Sequence, residues 1–211
     1  MSMLNRIREA EAPKRLEKRW FVVLLLGIGM GIFSKVLDCT PSNHLPYILE
    51  YLDVRNFLGR FSFWVLLGLW LSVSSCSSGR AALHVFLSFA GMVSGYYLYT
   101  KYVAGFFPKS YAVIWFGFTL LSPLLAFVCW YARGKGAASF VLSAIALGVL
   151  FWCSFLCGWG YIEPRSVLEL LTFLVGIVVL RRDTVRASVF LAALGIILGI
   201  GMCLVIPFHF G

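Results

Sequence analysis

Residues Trp20 to Leu37 read WFVVLLLGIGMGIFSKVL, an apolar run whose single charge, Lys35, lies near its far end. A hydrocarbon core about 30 Å thick takes roughly 20 helical residues to cross, so this run is long enough, or nearly so, to span a bilayer. Six more stretches of the same kind follow at 57–75, 81–103, 110–132, 137–158, 166–180 and 185–208. Backbone amides and carbonyls cannot reach water inside lipid, so each stretch must satisfy its own hydrogen bonds as a helix; the period-2 alternation of a membrane barrel is absent. The expected fold is therefore an all-α integral membrane protein, a seven-helix transmembrane bundle. Six crossings are the alternative, because 166–180 is the shortest stretch. Residues 1–19 are expected to form a cytoplasmic amphipathic leader and residues 20–211 a single transmembrane helical domain, since the connecting loops are too short to fold alone.

Composition agrees. With 61% hydrophobic and 13% charged residues, a soluble fold would have too little polar surface to cover its helices. The net charge of +9 follows the membrane rather than a nucleic acid, which is not an expected partner. Lys35, Arg55, Arg60, Lys101, Lys109 and Arg165 fall on one side of the bundle, and the other twelve of the eighteen basic residues fall on the side of the N-terminus. The positive-inside bias places the N-terminus in the cytoplasm and, with seven spans, the C-terminus outside. Lys35-Val36-Leu37-Asp38-Cys39 after the first run offers no small-residue cleavage site, so that span is read as retained.

Three GxxxG pairs, Gly27 with Gly31, Gly91 with Gly95 and Gly195 with Gly199, mark faces for close helix packing inside the bundle or, alternatively, against a second membrane subunit. Leu26–Met30 and Leu198–Met202 both read LGIGM, an echo that raises the question of a duplicated triple-helix unit. Pro123 removes an amide from the middle of the fourth span and is expected to bend it. Trp20, Trp64, Trp115, Trp130 and Trp159, with Tyr47, Tyr51, Tyr111, Tyr131 and Tyr161, fall near span ends and read as interfacial anchors. The longest connection, about Asp38 to Asn56, carries a short amphipathic stretch, Leu45 to Leu52, suited to lie across the bundle mouth.

Charges in or beside the spans are the functional candidates, because an ionised group in hydrocarbon is costly and tends to face a cavity or a partner. Lys35, Asp38, Arg60, Tyr97, Lys101, Arg165 and Glu169 all map toward the outer leaflet and are expected to line one polar vestibule that binds substrate. Arg165 and Glu169, at i and i+4, can also neutralise each other locally, and Pro164 reads as the entry to that helix. No catalytic set and no metal site is recognised, and no cofactor is expected. The chain holds no GxxxxGK[ST], no HExxH, no rhomboid-type GxSG and no lysine in the seventh span for a retinal Schiff base. Cys153 and Cys157 share a helix face at i and i+4, read as small buried hydrophobes, and His84 as a buried hydrogen-bonded side chain.

The run Phe106–Gly117, FFPKSYAVIWFG, together with Asp53–Arg60, DVRNFLGR, resembles an uncharacterised family of small multi-pass proteins from Firmicutes over residues 26–135. That resemblance implies a bacterial plasma-membrane location and carries no activity. In size, in the glycine face of its first helix and in its long outer loop, the chain also looks like the substrate-binding subunits of energy-coupling-factor vitamin importers, which have six helices and a cytoplasmic C-terminus. The expected function is a permease-type or substrate-binding transport component for a small polar or amphipathic solute. The alternatives are a non-enzymatic scaffold or assembly subunit that binds a protein partner through its glycine faces and, third, a lipid-modifying enzyme using Glu169 or His84 beside Tyr97.

Overall fold

The computed structural model describes residues 7–12, 20–158 and 160–206, and they are predominantly helical. Among the described residues, five helices are long and apolar enough to cross a membrane: α1 (Trp20–Cys39), α5 (Ser78–Tyr102), α6 (Lys109–Trp130), α7 (Gly136–Ser154) and α9 (Val185–Val205). Two apolar helices are shorter, α4 (Phe61–Ser74) and α8 (Val167–Val179), with 14 and 13 residues. At a rise of 1.5 Å per residue each reaches only ~20 Å. Two short helices, α2 (Tyr47–Tyr51) and α3 (Val54–Gly59), occupy the long connection. They are separated by Asp53 in the left-handed region (φ 52°), where a short polar side chain is tolerated. Leu45 and Leu49 pack inward there while Tyr47, Ile48 and Tyr51 stay exposed, which gives the expected amphipathic strap.

Glycine decides which helices pair. A Cβ added at Gly27 would lie 2.2 Å from Ser88 O, and one at Gly31 2.0 Å from Met92 O. Reciprocally, Gly91 would meet Leu24 O at 2.5 Å and Gly95 Ile28 O at 2.5 Å. The first two GxxxG faces therefore lock α1 against α5, backbone to backbone, where only hydrogen fits. Gly195 and Gly199 seat α9 on α7 differently, against the side chains of Leu147 and Phe151. All six glycines are thus used within the chain, and their faces are not open to a second subunit.

The paired helices α1/α5 and α7/α9 flank a middle layer in which α4 touches α5, α6, α7 and α8. The LGIGM echo is not a duplication. In the first set α5, its last helix, packs on both α1 and α4; in the second set α7, its first helix, packs on both α9 and α8. The helix order is mirrored along the chain, which is not the order of a direct repeat. Pro123 leaves α6 continuous. Its missing amide frees the carbonyl four residues back, Thr119 O, and the Ser122 hydroxyl donates to that oxygen at 2.8 Å.

The fifth apolar stretch departs from expectation. The helix stops at Ser154, and Phe155–Gly158 and Tyr161–Pro164 pair as an antiparallel hairpin, β1 and β2. Cys153 and Cys157 therefore do not share a helix face; Cys157 instead lies beside Cys203 near the end of α9, both as free thiols. Pro164 ends β2 opposite Phe155, and α8 starts three residues later, capped by Ser166.

At the opposite end of the bundle, arginines close helix C-termini whose last carbonyls have no intrahelical donor. Arg8 donates to Val73 O at 2.9 Å and Trp130 O at 2.8 Å, with its guanidinium 4.4 Å from the Trp130 ring centroid. Of the expected amphipathic leader, the described part, residues 7–12, is not helical and tucks under α4 and α6, and the remainder lies outside the described residues. Arg182 donates to Gly134 O, Ala132 O and Ser139 O and to the hydroxyls of Ser139 and Ser143, at 2.8–3.1 Å. Burial lowers its pKa from the ordinary arginine value. A lysine has no planar fork to span these acceptors. Arg182→Lys is expected to lower unfolding stability by about 2 kcal/mol, measured by denaturant unfolding in bicelles, with Arg181→Lys as the exposed control.

Candidate functional site

At the Asp38 end, α1, α3, α4, α5 and α6 surround an open-mouthed cavity of about 140 Å³. Its wall is Ser34 and Asp38 from α1, Leu58 and Gly59 from α3, Trp64 from α4, Met92, Val93, Tyr96 and Tyr97 from α5, and Tyr111 and Trp115 from α6. Five of these are aromatic, and each is held from behind or beside. Trp64 donates its indole N–H to Leu58 O at 2.8 Å, tying α4 to the strap. Trp115 stacks on Phe61 with ring centroids 4.7 Å apart and planes 4° apart. Tyr97 packs between Phe107 and Phe116 at 5.5 and 5.8 Å. Its hydroxyl oxygen is buried and has no hydrogen-bond partner among the described residues.

The polar end of the cavity is a three-residue unit. Tyr96 donates its hydroxyl to Asp38 Oδ2 at 2.5 Å. Lys35, 7% exposed, donates to Tyr96 Oη at 3.4 Å and lies 3.6 Å from the same carboxylate oxygen. Its ammonium also sits 4.9 and 5.0 Å from the Tyr96 and Phe106 ring centroids. An unpaired buried ammonium would be costly, and here a carboxylate, a phenol and two ring faces offset its lost hydration.

Glu169 belongs to a second cluster. It is fully buried, its Oε1 accepts from Arg60 Nη1 at 2.8 Å, and its Oε2 accepts a short hydrogen bond from the Ser166 hydroxyl. Arg60 also lies 3.7 Å from Asp53 Oδ2. Arg60 is the N-cap of α4 and Glu169 stands in the first turn of α8, so one ion pair joins the starts of the two short helices. Arg165 lies close enough to feel both charges, and its amide donates to Ser154 O at 3.0 Å, closing the hairpin onto α7. Burial is the first reason that its pKa is lowered from the ordinary arginine value.

The single expected vestibule is thus two sites. Asp38 and Tyr97 line the cavity and Lys35 supports it; Arg60, Glu169 and Arg165 gather at the α4/α8 junction. Lys101 joins neither, being exposed with its ammonium 5.3 Å from the Tyr102 ring. Trp64, Tyr111 and Trp115, read from sequence as interfacial anchors, instead form the cavity wall. Trp130 is also interior, 2% exposed, with its indole donating to Ser75 O at 2.7 Å. A span-end aromatic satisfies either role, and the sequence alone does not separate them. Glu169 did carry a missed signal: Ser166-Val167-Leu168-Glu169 is a capping-box pattern, which would have fixed the start of α8. His84 is buried as expected, with Nδ1 3.3 Å from Ser75 Oγ. Among the described residues no group of His, Cys, Asp and Glu side chains could hold a metal ion. Neither a described protein family, nor a curated protein, nor a solved structure matches this chain.

Proposed function

We propose that this chain is a multi-pass protein of the bacterial plasma membrane, with its N-terminus in the cytoplasm and α1, α4, α5, α6, α7, α8 and α9 as seven membrane helices. In this reading it works as a substrate-binding or permease-type transport component for a small amphipathic solute. The observation that carries the reading is the aromatic cavity with one polar end, open toward the side to which the basic-residue bias assigns the outside. The 14- and 13-residue helices fit this picture, since both start at the Arg60–Glu169 pair and leave the outer third of the bundle to the strap, the hairpin and the cavity. The scaffold alternative drew on glycine faces free for a partner, and those faces are taken up between α1 and α5 and between α7 and α9. The enzyme alternative needs Glu169 or His84 beside Tyr97, and neither lines the cavity that Tyr97 lines.

Two measurements test the proposal. Native mass spectrometry of the purified chain should find a retained small molecule that is lost in Gly59→Trp, because Gly59 lines the cavity and a Cβ there meets nothing within 4 Å, which leaves room for an indole at the mouth. Retention unchanged in that variant would remove the cavity as the site. Single cysteines at Ser42 and Lys109 should react with an impermeant reagent on intact cells, and those at Ser78 and Asp183 should not. The inverse pattern would turn the cavity toward the cytoplasm.

A further inference from the structure

Accepting the cavity as a solute site, as proposed above, we infer that its ligand is an amphipathic organic ammonium ion, with a planar apolar body held among the aromatic side chains and its cationic end at Asp38 and Tyr97. Among the described residues, Asp38 is the one formally charged residue of the wall, and it is negative. Both of its contacts among the described residues, with Tyr96 and Lys35, use Oδ2, so a ligand cation can take Oδ1. Aromatic faces carry negative quadrupoles that attract cations and repel anions. Lys35 is not part of the wall; its ammonium is held by the Phe106 and Tyr96 rings, and it keeps the carboxylate at the cavity end rather than offering a cation to the ligand.

The second, independent observation is Tyr97. Its side chain is 4% exposed, it lines the cavity, and its hydroxyl has no partner among the described residues. A buried hydroxyl without a partner is a standing cost. An ammonium N–H donated to the Tyr97 oxygen would give that oxygen a partner on binding and reduce the cost. An acid would instead place a second carboxylate beside Asp38 and over ring faces of the same sign. A neutral apolar body would fill the slot but leave Asp38 Oδ1 and the Tyr97 hydroxyl as they are.

The test uses the full chain in zwitterionic lipid nanodiscs with 5-fluorotryptophan, reading the fluorine resonance of Trp115, assigned by Trp115→Phe. Reading the cavity wall itself separates binding from partition into lipid. Three probes of like shape are titrated: 2-phenylethylammonium, 2-phenylethanol and 3-phenylpropionate. The ammonium should shift Trp115 saturably and bind at least ~10-fold more tightly than the alcohol, with the acid weakest. Asp38→Asn should abolish most of that preference. Because Asp38→Asn also leaves Lys35 without its carboxylate, Tyr97→Phe serves as the second variant. It removes only a hydroxyl without a partner among the described residues, should fold normally, and should weaken the ammonium ~3-fold or more and the uncharged alcohol by less. Equal binding of ammonium and alcohol, or preference for the acid, overturns the cation assignment while the cavity remains a solute site. Saturable shifts from none of the three overturn both.

Discussion

Gly31→Leu should be the most damaging single substitution in the molecule, costing at least ~3 kcal/mol of stability and separating α1 from α5. The reason is the nature of the obstacle. The new Cβ would stand 2.0 Å from the Met92 carbonyl oxygen and 2.8 Å from its carbon, and a helix backbone cannot rotate away as a side chain can. The two helices must part, losing the dispersion contacts that hold them together in lipid, where no hydrophobic force draws them back. Gly195→Leu should cost less, because its Cβ meets the Leu147 side chain at 2.7 Å and the nearest backbone oxygen, Ala144 O, at 3.5 Å. Gly29→Leu is the control: nothing lies within 4 Å of its Cβ, and its effect should stay within ~0.5 kcal/mol. Reversible unfolding in bicelles would read all three. Equal stability of the Gly31 and Gly29 variants would mean that α1 and α5 do not interlock in this way. The same separation would distort the cavity, whose wall includes Ser34 on α1 and Met92 and Tyr96 on α5.

Those glycines also show what was legible in the sequence. That Gly27, Gly31, Gly91, Gly95, Gly195 and Gly199 lie on packing faces follows from spacing alone. Which face meets which does not, because six identical hydrogens carry no label; the reciprocal match of α1 with α5 exists only in three dimensions. Helix existence was legible for the same reason that membrane helices generally are, since lipid forbids unsatisfied backbone. The hairpin at Phe155–Pro164 was hidden inside an apolar run that hydropathy reads as more helix. Its local signals, Gly158 and Gly160 at the turn and Tyr161-Ile162 in a β-prone segment, are short and easily outweighed. The candidate site was legible as a set of residue types and as an end of the bundle. Its division into two was not, because the division depends on Arg60 and Glu169, 109 positions apart, choosing each other. Local spacing offered Glu169 only Arg165.

That choice predicts the second large effect, and an asymmetry within it. Removing one member of a buried ion pair costs ~3–5 kcal/mol, because the other charge is left in a poor solvent. Glu169 is fully buried, whereas the Arg60 side chain is 21% exposed and has Asp53 as a further carboxylate at 3.7 Å. Arg60→Met, which strands the buried acid, should therefore destabilise more than Glu169→Gln, which leaves an arginine with water and Asp53 still in reach. The double variant Arg60→Met with Glu169→Met should recover much of the loss, since two packed apolar side chains need no desolvation to be repaid. The sequence alone led to the expectation that Glu169→Gln and Arg60→Ala would each weaken solute binding. The structure separates stability from binding, because neither residue lines the cavity. The double variant is the decisive protein: folded, it should retain its small molecule in native mass spectrometry. Loss of the ligand from a stably folded double variant would make the ion pair part of the binding site and merge the two clusters again. Additive destabilisation, with no recovery in the double variant, would mean that Arg60 and Glu169 do not depend on each other and that α4 and α8 are held together by their apolar faces alone.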